Sequence, residues 1–391
     1  MNKPIYFDNN ATTPLDPKVL EVMLPYYNEK FGNASSVHHV YGREAKEAVE
    51  KSRKIIASEL NAKSKEIVFT SGATEAINLA IRGVSDQWIE KGRHIVTQVT
   101  EHKAVLDTCK SMEKRGWEVT YLTVASDGRV DPQQVLDAIR EDTILVSIMH
   151  TNNEIGVLQP IAEIGTICRA RNVYFLVDAA QSFAKLPLDV EALGIDLLTA
   201  TAHKIYGPAG IGTLYVRQKN PKVELTPQAE GGGHEHGLRS GTSAVPLIVG
   251  FGRAVGLCVE KREEENRRIS ILRDKLVDGI IADHPDVILN GSKEHRLPHN
   301  ASLCFPGLDA ESLITKMKDI ACSTGSACTT ISFDPSHVIR ALGYEIELAH
   351  STIRFSLGRF NTEAEVSTAL EIINKTVSDM KENLPSRRLT I

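Results

Sequence analysis

Lys204 directly follows a run of buried-strand character, Thr199-Ala200-Thr201-Ala202-His203, and precedes the turn Ile205-Tyr206-Gly207-Pro208. A lysine desolvated at such a place has a lowered pKa and forms imines with carbonyl compounds, whereas a lysine merely leaving a strand stays solvated. Asp178 closes a second apolar run, Val177-Asp178-Ala179-Ala180-Gln181. A carboxylate there is costly unless paired, either with a protonated ring nitrogen or with a structural partner. Thr70-Ser71-Gly72-Ala73-Thr74-Glu75 joins a strand to a helix. Its free N–H groups and helix dipole suit an anion, although an ordinary N-cap reads the same way. His102, after Thr100-Glu101, ends another strand, where an imidazole can stack on a planar ligand or move protons. Each signal alone is weak. Together they form an anion site, a carboxylate for a ring nitrogen, an imine-forming lysine and a histidine, the set that pyridoxal phosphate requires of a protein.

Seven strand candidates, rich in Val, Ile and Thr, hold these residues: Glu66–Thr70, His94–Val99, Val119–Val124, Thr143–Met149, Tyr174–Ala179, Leu197–Ala202 and Gly210–Val216. The third, fourth and fifth read as nearly continuous apolar runs, the pattern of strands buried on both faces. Most gaps between them carry amphipathic helices. In one, Ile77, Ala80, Ile81, Val84 and Trp88 form a single stripe. Alternation of this kind predicts an α/β fold with a mostly parallel sheet, and ligands then bind beyond the C-terminal strand ends. After about Leu257 the pattern changes. A helix over Cys258–Ala282, with a charged solvated face at Glu260–Arg268, leads into short strands (Val287–Asn290, Ser302–Phe305, Thr352–Leu357) mixed with helices (Ala310–Lys318, Ser336–Leu342, Glu363–Glu382). The expected division is a large domain over 15–257 and a smaller α+β domain over 258–391, completed by 1–14.

Composition narrows the setting. The 391 residues include 45 Lys+Arg against 50 Asp+Glu, a net charge of −5 that gives no reason to expect nucleic acid or an anionic membrane as partner. No apolar stretch approaches the ~18 residues needed to span a bilayer. The opening MNKPIYFDNN lacks the pattern of a secretory signal. Six irregularly spaced cysteines make neither a disulfide framework nor a zinc site, so a cytoplasmic protein with reduced thiols is expected.

The ordered set Asp8-Asn9-Asn10-Ala11-Thr12-Thr13-Pro14, Ser71-Gly72-Ala73-Thr74-Glu75, Glu101-His102-Lys103, Asn152-Asn153-Glu154-Ile155-Gly156, Asp178-Ala179-Ala180-Gln181, His203-Lys204, Arg239-Ser240-Gly241-Thr242 and Ser323-Thr324-Gly325-Ser326-Ala327-Cys328 resembles the NifS/IscS-type cysteine desulfurases, fold-type I, class V pyridoxal-phosphate enzymes. The resemblance runs from about residue 4 to 380. It implies that Lys204 holds pyridoxal 5'-phosphate as an imine, that Asp178 pairs with the pyridinium nitrogen and that Gln181 bonds the ring hydroxyl. His102 would stack on the ring and assist proton transfers. Ala73, Thr74, Thr201 and His203 would bind the phosphate, with Thr242 reaching in from the other subunit of a homodimer. Asn153 would touch the cofactor and, with Arg354, hold the carboxylate of substrate L-cysteine, a role that suits a bidentate guanidinium.

By the same resemblance Cys328 is the nucleophile that takes the substrate sulfur as a persulfide, releases alanine, and passes the sulfur to an iron–sulfur scaffold or another acceptor. It could also contact a nascent cluster. Its neighbours Ser, Thr, Gly and Ala make a poor core environment, and no Lys or Arg lies between Lys318 and Arg340 to depress its pKa. Cys322 falls outside the motif and reads as core packing or as a second thiol able to pair with Cys328. The tail after Glu382 is shorter than in members that dock a scaffold through that region, so scaffold docking is the less supported part of the likeness. His234 and His236 in a Gly-rich stretch have the spacing of metal ligands but no third ligand, so no metal is expected. Gly207-x-x-Gly210-x-Gly212 is no dinucleotide fingerprint, which disfavours a nicotinamide dehydrogenase. A selenocysteine lyase or aminotransferase of class V, and a cofactor-free scaffold, are the other readings. The presence of Cys328 and Lys204 argues against the last two.

Overall fold

A computed structural model describes residues 3–324 and 335–383. After a two-residue strand β1 (Ile5–Tyr6), the seven predicted strands appear in order as β2 (Ile67–Thr70), β3 (His94–Gln98), β4 (Glu118–Leu122), β5 (Thr143–Ser147), β6 (Tyr174–Asp178), β7 (Leu197–Thr201) and β8 (Gly212–Val216). All seven join one sheet of order β2-β8-β7-β6-β5-β3-β4. Only β8 runs antiparallel to its neighbours; every other pairing is parallel.

Successive residues of each inner strand enter opposite cores, as a two-residue period demands. Val96, Val146, Val177 and Leu198 face one hydrophobic cluster, and Ile95, Leu145, Leu176 and Leu197 face the other. Burying each such side chain contributes roughly 1.5–3 kcal/mol, so the sheet is a rigid base for what stands at its ends. One expectation is corrected. The third predicted strand, β4, lies at the sheet edge with Glu118 exposed and Val119–Tyr121 half-buried, because it has a neighbour on one side only. The helix Ala73–Gln87 places Ile77, Ala80, Ile81 and Val84 in the core as its stripe predicts.

The long helix begins at Val245, not Cys258, and runs unbroken to Asp283. The apolar run Val245–Phe251, opened by a proline in the first turn, is its first two turns. Its N-terminal half supplies Val245, Ile248, Phe251 and Val255 to one core. Its C-terminal half supplies Ile269, Leu272, Leu276 and Ile280 to a separate one. Around the latter stand β9 (Ile288–Leu289), β10 (Asn300–Cys304) and β12 (Thr352–Ser356) as an antiparallel sheet, and β11 (Ile320–Ala321) paired with β1. Phe7 is fully buried in that second core.

Candidate active site

A cavity of about 410 Å³ opens at the C-terminal strand ends and gathers residues from far apart in the sequence. Ala73, Thr74, His102, Asn153, Asp178, Gln181, Thr201, His203 and Lys204 all line it. Of the remaining predicted site residues, Thr242 is exposed and outside the cavity wall, Arg354 stands behind Asn153, and Cys328 lies outside the described residues.

Among the described residues no side chain caps the helix Ala73–Gln87 at Gly72, and its first turn lines the cavity with its N–H groups. Glu75 is kept off them: Arg239 Nε and the Ser71 N–H donate to its carboxylate at 2.8 and 2.6 Å and lower its pKa against the opposing effect of burial. A Cβ on Gly212 would lie 2.6 Å from Gly72, so only glycine lets β8 pass this close to the turn.

Asp178 accepts from the Ala180 N–H (2.9 Å) and the Thr199 hydroxyl (3.3 Å), both onto Oδ1. Its carboxylate is thus positioned without a cation bonded to it among the described residues. His102 caps the helix Lys103–Glu113 by accepting the Ala104 N–H at Nδ1 (3.1 Å). The bond leaves the proton of the neutral ring on Nε2. Burial lowers its pKa, with Asp178 opposing and Lys204 adding to the effect. His203 is pushed down to about 4 by burial, Lys204 and Lys185, and so is neutral around pH 7. Its carbonyl accepts both the N–H and the hydroxyl of Thr13, and the Thr13 hydroxyl accepts the Tyr206 N–H at 2.7 Å. These bonds clamp the turn that presents Lys204, where Tyr206 takes a left-handed φ of 63°.

Arg354 is 3% exposed and already engaged. Nη1 donates to the Asn153 carbonyl and Nη2 to Asp8 Oδ1, each at 2.8 Å, while Nε has no partner among the described residues. Asp8 and Asn10 received no role from the sequence beyond their place in a motif. Here Asn10 links the two sides of the site, donating from Nδ2 to the Asn153 carbonyl and accepting from Gln181 Nε2 at its own carbonyl, both 3.0 Å. Glu101, also passed over, is fully buried. Its Oε1 accepts the Met149 N–H at 2.5 Å and Gln98 Nε2 at 3.0 Å. Burial and then Asp178 raise its pKa well above the ordinary carboxylate value, which favours the uncharged acid. The signal for it was a charged residue closing a strand-end run, Val99-Thr100-Glu101.

Cys322 is half-buried beside the second core, and burial followed by Asp8 raises its thiol to about 12. That favours its reading as packing. Cys109, Cys168, Cys258, Cys304 and Cys322 are free thiols. His234 bonds the Ser35 hydroxyl, and the intervening Glu235 is held by Arg53; among the described residues no group of side chains is fit to hold a metal ion.

A lysine beyond one parallel strand, an aspartate ending its neighbour and an uncapped helix start facing both define the active site of a fold-type I pyridoxal-phosphate enzyme. Known proteins agree. The class-V aminotransferase family matches residues 5–368. "Cysteine desulfurase IscS" of Anaeromyxobacter dehalogenans is 51% identical over 98% of this chain and 95% of its own. Among solved structures, a "NIFS-like protein" matches with a TM-score of 0.90 at 38% identity, over 96% of this chain and all of the other. "SspA in complex with cysteine" matches at 0.82 and 40%, over 92% and 100%. The chain belongs to the class-V aminotransferase family and, within it, to the NifS/IscS-type cysteine desulfurases. Its cofactor is pyridoxal 5'-phosphate. The residues present fit that group: the helix start offers donors to a phosphate, and Gln181 Oε1 is a buried acceptor with no partner among the described residues, suited to a ring hydroxyl.

Proposed function

We propose that the chain removes sulfur from L-cysteine, releasing L-alanine and leaving a persulfide on Cys328 for transfer to an acceptor protein. The convergence of Lys204, Asp178 and His102 on one cavity carries the cofactor part of this reading. The Ser-Thr-Gly-Ser-Ala-Cys motif carries the sulfur part.

Bound pyridoxal phosphate supplies an electron sink for the carbanion left when a substrate α-proton departs. Lys204 would hold the cofactor, and its amine, when free, would take up the substrate α-proton. Asp178 would keep the ring nitrogen protonated, and Gln181 would accept from the ring hydroxyl. The first N–H groups of the helix Ala73–Gln87, with Thr74, Thr201 and His203, hold the phosphate, and Thr242 adds a contact across a homodimer. His102 would cover one face of the ring, with its tautomer fixed by the Ala104 cap. Arg354 and Asn153 take the substrate carboxylate, which places the substrate sulfur for attack by the Cys328 thiolate. The C–S bond breaks, its electrons return to the substrate carbon, and protonation gives alanine.

The large and small domains divide near Cys258 within the long helix. The acceptor is an iron–sulfur scaffold or another sulfur-accepting protein, and the setting is the cytoplasm. No helix among the described residues is long and apolar enough to cross a membrane. Cys328→Ser tests the reading: the variant keeps the coloured cofactor and forms no protein-bound persulfide from labelled L-cysteine. Sulfur release at the wild-type rate from that variant would remove Cys328 from the mechanism.

A further inference from the structure

The segment that holds Cys328 is flanked by residues fastened to one dipeptide, Asn153–Glu154. On the upstream side, Ser323 exchanges backbone hydrogen bonds with Arg354 (2.7 and 3.3 Å), and Arg354 Nη1 donates to the Asn153 carbonyl at 2.8 Å. On the downstream side, the Ser336 hydroxyl donates to Glu154 Oε2 at 2.5 Å. The same hydroxyl accepts the N–H groups of Val338 and Ile339 at 3.1 and 3.2 Å, so its hydrogen-bonding capacity is full. His337 Nε2 donates to the Glu101 carbonyl at 3.0 Å, one residue before His102. Val338 and Ile339 pack with Ile155 and Val157 in a small apolar cluster.

Glu154 has little room to yield. Its N–H donates to Asn152 Oδ1 at 2.8 Å and its carbonyl accepts from Asn300 Nδ2 at 3.0 Å. Ser336 and Glu154 are 5% and 6% exposed, so their bond is shielded from water and made by a charge-capable acceptor. A group-transfer step between a protein sulfur and a substrate sulfur depends steeply on approach geometry, and an error of about 1 Å costs on the order of a hundredfold.

We propose that Ser336, Glu154 and His337 are positioning residues for sulfur transfer. They tie the downstream flank of the Cys328 segment to the residues that hold the substrate carboxylate and cover the ring. The described flank of that segment and the holders of the substrate carboxylate thereby share one anchor, the dipeptide Asn153–Glu154. A plain helix cap would also explain the bonds from Val338 and Ile339 to Ser336. It explains neither the bond to Glu154 nor that of His337 to the Glu101 carbonyl.

The test uses the holoenzyme and separates binding from transfer. Single-turnover formation of labelled persulfide on Cys328 is measured beside a spectral titration with L-cysteine and a melting curve. Ser336→Ala is expected to slow transfer about tenfold or more, the loss that one buried charge-assisted hydrogen bond produces, with spectral affinity within about twofold of wild type. Ser336→Thr restores the rate. His337→Phe removes only the donor to Glu101 and slows transfer several-fold, which keeps the question answerable if Ser336→Ala does not fold. Full-rate transfer in Ser336→Ala, or in His337→Phe when the first variant is unusable, overturns the proposal. So does a Ser336→Ala variant in which rate, spectral affinity and melting temperature fall together. The idea rests on Cys328 as sulfur acceptor. A wild-type protein without label on Cys328 sinks that reading, whereas a labelled wild type with unaffected variants sinks only the positioning role.

Discussion

The two halves of the proposed active site are built on different principles. The cofactor half stands on consecutive ends of one rigid sheet: Asp178 closes β6, Thr201 closes β7, and Lys204 follows three residues later. The substrate half is assembled from segments hundreds of residues apart, with Asp8, Asn153, Ser323 and Arg354 meeting through a handful of hydrogen bonds. The first is held by cores on both faces of a sheet, so it should withstand the loss of any one polar contact. The second also rests on β12, whose Ile353 and Phe355 are buried in the second core, but its polar contacts are what aim the side chains. Chemistry that needs a fixed electron sink sits on the stiff half, and chemistry that must admit a substrate and a second sulfur sits on the adjustable one.

The contrast can be broken most severely at Lys204. Lys204→Ala should lower turnover by at least about a thousandfold and lose the imine absorbance, while the melting temperature of the apoprotein hardly moves, since the lysine stands at the end of an already complete sheet. A large fall in apoprotein stability would mean that the cofactor half is not a self-sufficient scaffold.

Acid should loosen the stiff half next. His150, whose N–H donates to the Asp178 carbonyl and whose Nδ1 lies 2.9 Å from the Ser182 hydroxyl, is pushed by burial from 6.5 down to about 4. His203 is lowered to a similar value. A histidine kept neutral by the fold binds its proton more readily when unfolded, so stability is intact above about pH 6.5 and falls as pH drops toward 4. His150 alone accounts for roughly 3 kcal/mol over that interval. Denaturant titrations at stepped pH values should show this loss, and His150→Gln should flatten it. An unchanged slope in that variant would assign the acid sensitivity elsewhere.

The smallest expected effect sharpens the adjustable half. Asp8→Asn removes the carboxylate that Arg354 Nη2 now bonds. The fold should lose about 2 kcal/mol, because a nearly buried guanidinium loses its counter-charge. The KM for L-cysteine should fall at the same time, since the substrate carboxylate no longer competes with Asp8. A raised KM would recast Asp8 as the residue that aims Arg354 rather than one that rivals the substrate.

Legibility in the sequence follows the same division. Strand ends carrying Asp178, His102 and Lys204 stood out because apolar runs of strand length are local patterns, and a polar residue closing one is conspicuous. All seven strands of the sheet were readable for that reason. The edge position of β4 was not, since an edge strand with Val119 and Tyr121 looks like an inner one until its neighbours are known. The start of the long helix was misplaced because its first turns, Val245–Phe251, are apolar without a stripe. The partners of Arg354, and the anchoring roles of Asn10 and Ser336, are long-range pairings that no local pattern encodes. The family likeness supplied Arg354 and Asn153 themselves but not the carboxylate already bound to one of them.

Strand β1 has a consequence for how the protein comes into being. It is made long before its partners: Ile5 and Tyr6 pair with Ile320 and Ala321, and Phe7 belongs to a core whose other buried members begin at Ile269. At about 5–20 residues per second, the ribosome takes roughly 15 seconds to a minute to deliver the missing partner. Through that interval the sheet and both its faces can form, while the N-terminal segment waits with an apolar side chain exposed. The substrate half of the site is therefore the last part to exist, and a nascent chain can acquire its cofactor cradle well before it has the means to bind a substrate.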